Sequence, residues 1–376
     1  MSSPINTCVL GVGLAGLAFH VPFVLALPDL FILHSVLERN PTSPHGKVHD
    51  RFGVSPRIHT SIDQVCDDPE IELVIVGTPN ETHYAYAKAA LLAGKHVLVD
   101  KPIAPTAEEA KELREIARSK NLVLYPYQNR RWDSDFLALR RLLALPPSDP
   151  RSLGDLHEFE SHFDRYRAEL KGTWKDEPKP AAGQLFDLGS HLIDQALALF
   201  GRPKSVTAFA ENIRGVGSPD VDDSFTVFLR YPAGAVSRHP FTAILRGHIL
   251  SVRASQLRFS VRGTKGTYIK YGVDVQEDQL RAMPGVDSIY KGDYGVEPET
   301  LWGTIDNLQE DGSVKTTAWP SIEAGVYANL FRNLAAVIRD GAEQAIKWEE
   351  STTVVEIIQL AHQSSKEGRT IDLPAL

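Results

Sequence analysis

At 376 residues the chain is too long for one ordinary domain and has room for two. Hydrophobic residues make up 43% and charged residues 23%, the mixture of a globular chain, and a formal net charge of -8 leaves no basic surface for nucleic acid or anionic lipid. Two cysteines, Cys8 and Cys66, fit a reducing compartment and cannot build a disulfide framework, and no apolar stretch approaches the ~20 residues that cross a bilayer.

The opening MSSPINTCVLGVG runs straight into a predicted strand, with no cationic region or separate apolar core of a signal peptide. The closing DLPAL carries no lipidation or retention address. A cytoplasmic location, with no membrane or nucleic-acid partner, is the expectation.

From Thr7 to about Tyr127, short apolar runs alternate with longer helical patterns. Thr7–Gly11, Ile32–Leu37, Leu73–Thr78, His96–Asp100 and Leu122–Tyr127 read as strands buried on both faces. Ala15–Ala26, Glu81–Ala93 and Ala107–Ser119 read as the helices between them. That alternation predicts a Rossmann-type doubly wound parallel sheet over residues 1–127.

After about Asn129 the pattern changes. A helix over Asp133–Leu145 stops at Pro146-Pro147. In Asp223–Tyr231, the residues Phe225, Val227, Leu229 and Tyr231 share one face. In Gln256–Gly263, Leu257, Phe259 and Val261 share one face while Arg258, Ser260 and Arg262 share the other. Helices are expected at Leu185–Phe200, near Ala324–Asp340 and at Thr352–Lys366, with a long surface loop over Met283–Gly303. Residues 128–376 therefore read as an α+β domain with a mostly antiparallel open sheet, one face packed on helices and the other exposed or paired with a second subunit.

Gly11-Val-Gly13-Leu14-Ala15-Gly16 follows the first predicted strand and opens a helix. Gly11 permits a tight turn, Gly13 lets backbone approach a pyrophosphate, and Gly16 permits helix–strand contact. The helix N-terminus adds free N–H groups and a positive dipole. At the end of the second strand, Glu38 lies 22 positions beyond Gly16, where an acid bonds the adenosine ribose of NAD. Arg39 follows, where an arginine pairs with the 2′-phosphate of NADP. The two oppose each other unless the carboxylate turns away. NADP is the expectation and NAD the alternative.

Thr78-Pro79-Asn80-Glu81-Thr82-His83 and Val99-Asp100-Lys101-Pro102 both sit at carboxyl ends of predicted parallel strands, the ligand crevice of such sheets. Pro102 keeps Lys101 out of helical conformation, although a lysine there is equally an edge charge. In Asp187-Leu-Gly-Ser-His191-Leu-Ile-Asp194, at about 100° per residue, the three polar side chains fall within about 60° of one helix face. A solvent-facing stripe would give the same pattern. The very apolar remainder of the helix, with Gly183 and Gly189 permitting close approach, counts toward a functional face, and both readings stay open at this point.

GVGLAG, TPNETH, DKP and DLGSHLID, in this order and spacing, resemble the glucose-fructose oxidoreductase / inositol dehydrogenase (Gfo/Idh/MocA) family over nearly the whole chain. Gln128-Asn-Arg-Arg-Trp-Asp133, Arg165-Tyr166-Arg167 and Ile269-Lys-Tyr-Gly272 are most similar to its NADP-dependent scyllo-inositol dehydrogenases. The resemblance implies an NAD(P)-dependent dehydrogenase or reductase acting on a sugar or polyol, with a site shared by the two domains. Lys101 and His191 would be the catalytic pair, with Asp187 orienting the substrate hydroxyl or the histidine. Gln128, Asn129 and Arg130 would lie near nicotinamide and substrate, and Tyr166, Trp174 and Tyr327 would line the sugar pocket. The cofactor would touch Gly11, Gly13, Leu14, Ala15, Gly16, Glu38, Arg39, Thr78, Pro79, Asn80, His83, Asp100 and Lys101.

Two positions depart from the family pattern: Asp100 where glutamate is usual, and Glu38 where NADP-dependent relatives carry a small polar residue. No metal is expected, since His45 and His49 fall in a polar loop. The resemblance also implies a homodimer or homotetramer. A non-catalytic regulator on the same fold, such as the galactose-pathway repressor of yeasts, is the alternative, disfavoured by the joint presence of Lys101, Asp187 and His191.

Overall fold

A computed structural model of the chain describes residues 3–374, so the end of the DLPAL reading lies outside the described residues. The chain divides into two compact units: residues 1–132, 275–294 and 326–352 form the first, and residues 133–274, 295–325 and 353–376 the second.

The first unit is built on a six-stranded parallel sheet in the order Arg57–His59, Phe31–Leu37, Ile5–Leu10, Leu73–Val76, His96–Asp100, Leu124–Tyr127. Leu73, Val74, Ile75 and Val76 are fully buried, as the unbroken apolar run requires of a strand covered on both faces. Strand order reverses beside Ile5–Leu10, which opens a crevice at the carboxyl ends. Arg57–His59 went unread because three residues carry no periodicity.

Two later segments complete this unit. The helix Ala328–Asp340 buries Leu330, Phe331 and Leu334, and the Phe331 ring stacks on Phe23, 5.1 Å between centroids. Burying such aromatic area contributes a few kcal/mol per ring, about 1.5–3. Part of the expected Met283–Gly303 loop is also packed here, with a 3-10 turn at Val286–Tyr290 that buries Ile289.

The second unit holds a nine-stranded sheet, antiparallel except where Leu156–His162 runs parallel to Phe241–His248. Its inner face packs Phe159, Val227, Leu229, Leu245 and Phe259 against the helix Ser190–Phe200 and the C-terminal helix. On the face away from that core, Thr207, Phe228, Ile244, Glu160, Ser260 and Ile269 align across six strands. Two strands, Gly303–Leu308 and Val314–Trp319, were not expected, because the edge strand is polar and largely exposed.

Arg258 corrects the alternation read from sequence. A bulge between Leu257 and Phe259 breaks the period, and Arg258 turns inward, fully buried, rather than sharing a face with Ser260 and Arg262. Its guanidinium donates to Asp135 (2.9 Å), Gln195 (2.9 Å) and Ser161 (3.0 Å) and lies 4.1 Å from the Phe259 ring centroid. A buried charge persists because it is paired and hydrogen-bonded in this way.

Candidate active site

In the first unit, every strand end named from sequence carries its motif. Gly11 has φ +90°, and a Cβ on it would come 2.8 Å from the Gly77 carbonyl oxygen. A Cβ on Gly16 would lie 2.0 Å from the Gly11 carbonyl oxygen, so only glycine lets the helix close against the turn. Gly13 differs: a Cβ there would meet nothing within 4 Å. No packing in the protein demands glycine at 13, and the open backbone fits the close approach of a diphosphate. The helix then begins as a π-helical turn, Ala15–His20, a widening frequent at functional sites.

That turn brings in a residue that sequence reasoning missed. His20 is fully buried and its Nε2 lies 3.2 Å from Asp100 Oδ2. The other oxygen of Asp100 accepts from the Lys101 backbone N–H at 2.7 Å. Burial works against the Asp100 carboxylate, yet His20 and Lys101 together hold it below the ordinary range. The shorter acid therefore anchors the lysine turn through its backbone.

His83 ties a second turn to the first. Its Nδ1 sits 2.7 Å from the Pro102 carbonyl and its Nε2 2.8 Å from the Thr78 carbonyl. Burial draws its pKa below the ordinary imidazole value, so a neutral ring donates to one carbonyl at a time. Asn80 is buried and Pro79 precedes its turn. Gln128 and Asn129 are buried at the next strand end; Gln128 Nε2 donates to Ser351 Oγ at 3.4 Å, while its Oε1 meets no hydrogen-bond partner among the described residues. Arg130 pairs with Glu277 at 2.6 Å; burial opposes that carboxylate, but Arg130 and Arg281 keep it below the ordinary range.

Glu38 and Arg39 face different surroundings. Glu38 is 3% exposed and turned inward, its Oε2 accepting from the Lys47 backbone N–H at 3.1 Å. A Cβ on Gly46 would come 2.6 Å from that oxygen, so the loop closes over the carboxylate. Arg39 is exposed and makes no ion pair among the described residues. Tyr327, expected to line a pocket, is wholly buried, with its ring edge-on to Phe23, 6.4 Å between centroids.

In the second unit, the expected continuous helix over Leu185–Phe200 is a π-helical turn, Leu185–Gly189, followed by an α-helix, Ser190–Phe200. Asp187 lies in the first and His191 and Asp194 in the second, and all three are buried rather than spread toward solvent. Lys175 grips Asp187, its Nζ 2.7 and 2.8 Å from the two carboxylate oxygens. Trp174 lies beside that ammonium, 5.6 Å from ring centroid to Nζ. Tyr166, by contrast, is 62% exposed. Neither Lys175 nor the residues that seat Leu185 were legible in sequence, since both contacts are tertiary.

Outside these groups, His34, Asp68 and Glu70 bring ligand-capable atoms within 4.8 Å of one another. Asp68 there is already held by Arg57 at 2.8 Å and His34 at 3.0 Å, an ion-pair hub rather than a vacant ligand set. No helix among the described residues is long and apolar enough to cross a membrane.

The description "Oxidoreductase family, NAD-binding Rossmann fold" fits residues 5–128, and "Oxidoreductase family, C-terminal alpha/beta domain" fits residues 149–373. The chain belongs to the Gfo/Idh/MocA oxidoreductase family. Within it, an uncharacterized oxidoreductase of Schizosaccharomyces pombe is 39% identical, covering 98% of this chain and 100% of its own. The scyllo-inositol 2-dehydrogenase (NADP(+)) IolW of Bacillus subtilis is 37% identical, covering 98% of this chain and 96% of its own. The solved structure of oxidoreductase yvaA from Bacillus subtilis superposes with a TM-score of 0.86 at 35% identity, covering 99% of each chain. An NAD-binding Rossmann domain carries a nicotinamide cofactor.

Proposed function

We propose that the protein transfers a hydride between NADP and a hydroxyl-bearing carbon of a sugar or polyol, inositol-like or aldose. The observation that carries this reading is the grouping, at the carboxyl ends of one parallel sheet, of the open Gly13 turn, the His83-tied turn and Lys101. The activity named for IolW supports a polyol substrate.

The nicotinamide would supply the hydride chemistry. In oxidation, His191 would take the proton from the hydroxyl as general base. The Lys101 ammonium would stabilise the alkoxide as charge develops. Asp187, neutralised by Lys175, would accept from a substrate hydroxyl or orient His191. Gln128, Asn129 and Arg130 would border the reacting groups, and Trp174 and Tyr166 would offer rings to the sugar.

NADP is favoured because Arg39 is exposed to receive a 2′-phosphate, while Glu38 is buried with one carboxylate oxygen on the Lys47 N–H. Arg39→Ala is expected to weaken NADPH binding about 10- to 100-fold, the cost of a charged hydrogen-bonding partner, and to leave NADH within about twofold. Glu38→Gln is expected to keep the NADPH preference. Fluorescence titration reads both, and an Arg39 variant that binds the two cofactors as wild type does would remove the NADP reading.

The outer row of Phe228, Ile244 and Ile269 supports pairing with a second copy, as a dimer or tetramer. Light scattering of the purified protein is expected to give two or four chains; a monomer at all working concentrations would overturn it.

A further inference from the structure

We propose that Asp222 is a positioning residue for the turn and helix that carry Asp187 and His191, holding them through the backbone of Gln184 and Leu185. The inference rests on the function proposed above for those two side chains.

Asp222 is 6% exposed and lies just ahead of the strand Ser224–Tyr231. Its Oδ1 accepts from the Leu185 N–H at 2.8 Å, and its own carbonyl accepts from the Gln184 N–H at 2.9 Å. The first N–H groups of a helical segment have no partner within it, so this one residue seats the start of the Leu185–Gly189 turn twice over. Gly183 makes room: at φ +95°, a Cβ there would come 2.0 Å from Asp222 Oδ2. From the Gly183 carbonyl, the next link runs to the Asp187 N–H, at 3.0 Å. The path from Asp222 to the Asp187 backbone is therefore short, and His191 begins the following helical turn.

The residues around the carboxylate leave it to this task. Asp223, beside it, is engaged with Arg214 at 2.7 Å and with the Ile213 N–H at 2.8 Å. His362, from the C-terminal helix, places Nε2 3.9 Å from Asp222 Oδ2 and stacks its ring on Phe186, centroids 5.7 Å apart. Burial, reinforced by Asp223 and resisted by the Leu185 N–H, pushes the Asp222 carboxyl up to about 7. A group so often protonated near neutrality is well replaced by asparagine, whose carbonyl still accepts from Leu185. Its folded pKa exceeds the unfolded value of about 4. The stability it contributes is thus full below about 4 and lost as pH rises through about 7. Wild type is expected to lose stability relative to Asp222→Asn across that window.

The test compares Asp222→Ala, Asp222→Asn and Asp222→Glu in the full chain. Two readouts are used: the His191 titration, followed by NMR of labelled histidine and identified with a His191→Gln control, and polyol turnover with NADP. In Asp222→Ala the His191 midpoint is expected to move by about half a pH unit or more, a change in its local environment. Turnover is expected to fall about 10- to 100-fold, the effect of misplacing a reacting group, while NADPH affinity stays within about twofold. Asparagine restores both. Should the alanine variant not fold, Asp222→Glu, which keeps the acceptor but moves it by one methylene, is expected to shift the His191 midpoint in the same way. A folded alanine or glutamate variant with wild-type His191 titration, or an asparagine variant as impaired as alanine, overturns the inference. Wild type that turns over no polyol while His191 still responds to Asp222 removes the proposed function and leaves the positioning role standing.

Discussion

His191→Ala is expected to reduce turnover about 100- to 10,000-fold, the usual contribution of a positioned acid or base, and Lys101→Ala about 100- to 1000-fold. His191→Ala should not alter cofactor affinity beyond about twofold, because the glycine turn and the loop around Glu38 are built from other residues. In Lys101→Ala the Asp100 carboxylate keeps its backbone partner and His20, so the turn itself should survive. Steady-state kinetics together with fluorescence titration of NADPH check both halves of the expectation. Loss of cofactor binding in step with activity in His191→Ala would mean that the substitution disturbs the fold. Full activity in either variant would remove that residue from the mechanism.

The second large effect is on stability. Asp135→Ala strands the Arg258 guanidinium in the interior of the nine-stranded sheet, where both side chains are completely buried. Removing one partner of a buried ion pair costs about 3–5 kcal/mol. The double replacement Asp135→Leu with Arg258→Met is expected to recover most of that loss, since a well-packed apolar pair often matches a buried salt bridge. It will not recover all, because Gln195 and Ser161 also lose their partner. Denaturant midpoints of the three proteins decide it. A loss below about 1 kcal/mol in Asp135→Ala would show that water reaches the site.

Much of the fold could be read in advance where the physics is local. Leu73–Val76 and His96–Asp100 declare themselves because a strand covered on both faces needs an unbroken apolar run. The glycine turn was legible for a similar reason: Gly11 and Gly16 answer steric demands that only glycine meets. Features decided by distant partners were not. Arg258 followed the surface half of an alternating pattern until a bulge turned it inward. Glu38 occupied the position of a ribose-binding acid, and only the closing of Gly46 over its carboxylate reveals that it faces the Lys47 N–H. Asp187 and His191 were recognised as a pair of polar groups on an apolar helix. The π-helical turn that carries Asp187, and its contacts with Lys175 and Asp222, depend on residues outside that helix. The candidate chemistry was visible in residue types, whereas its support was visible only in three dimensions.

The most direct test of the central claim is the appearance of reduced nicotinamide absorbance when purified protein, NADP and a polyol are mixed. The panel would hold scyllo-inositol, other inositols, aldoses and uronic acids. The expected result is reduced cofactor with at least one of them, faster with NADP than with NAD and lost in His191→Ala. Tight NADPH binding with no reduced nicotinamide from any member, and no reoxidation of NADPH by the corresponding ketoses or lactones, would contradict it and favour a cofactor-sensing regulator.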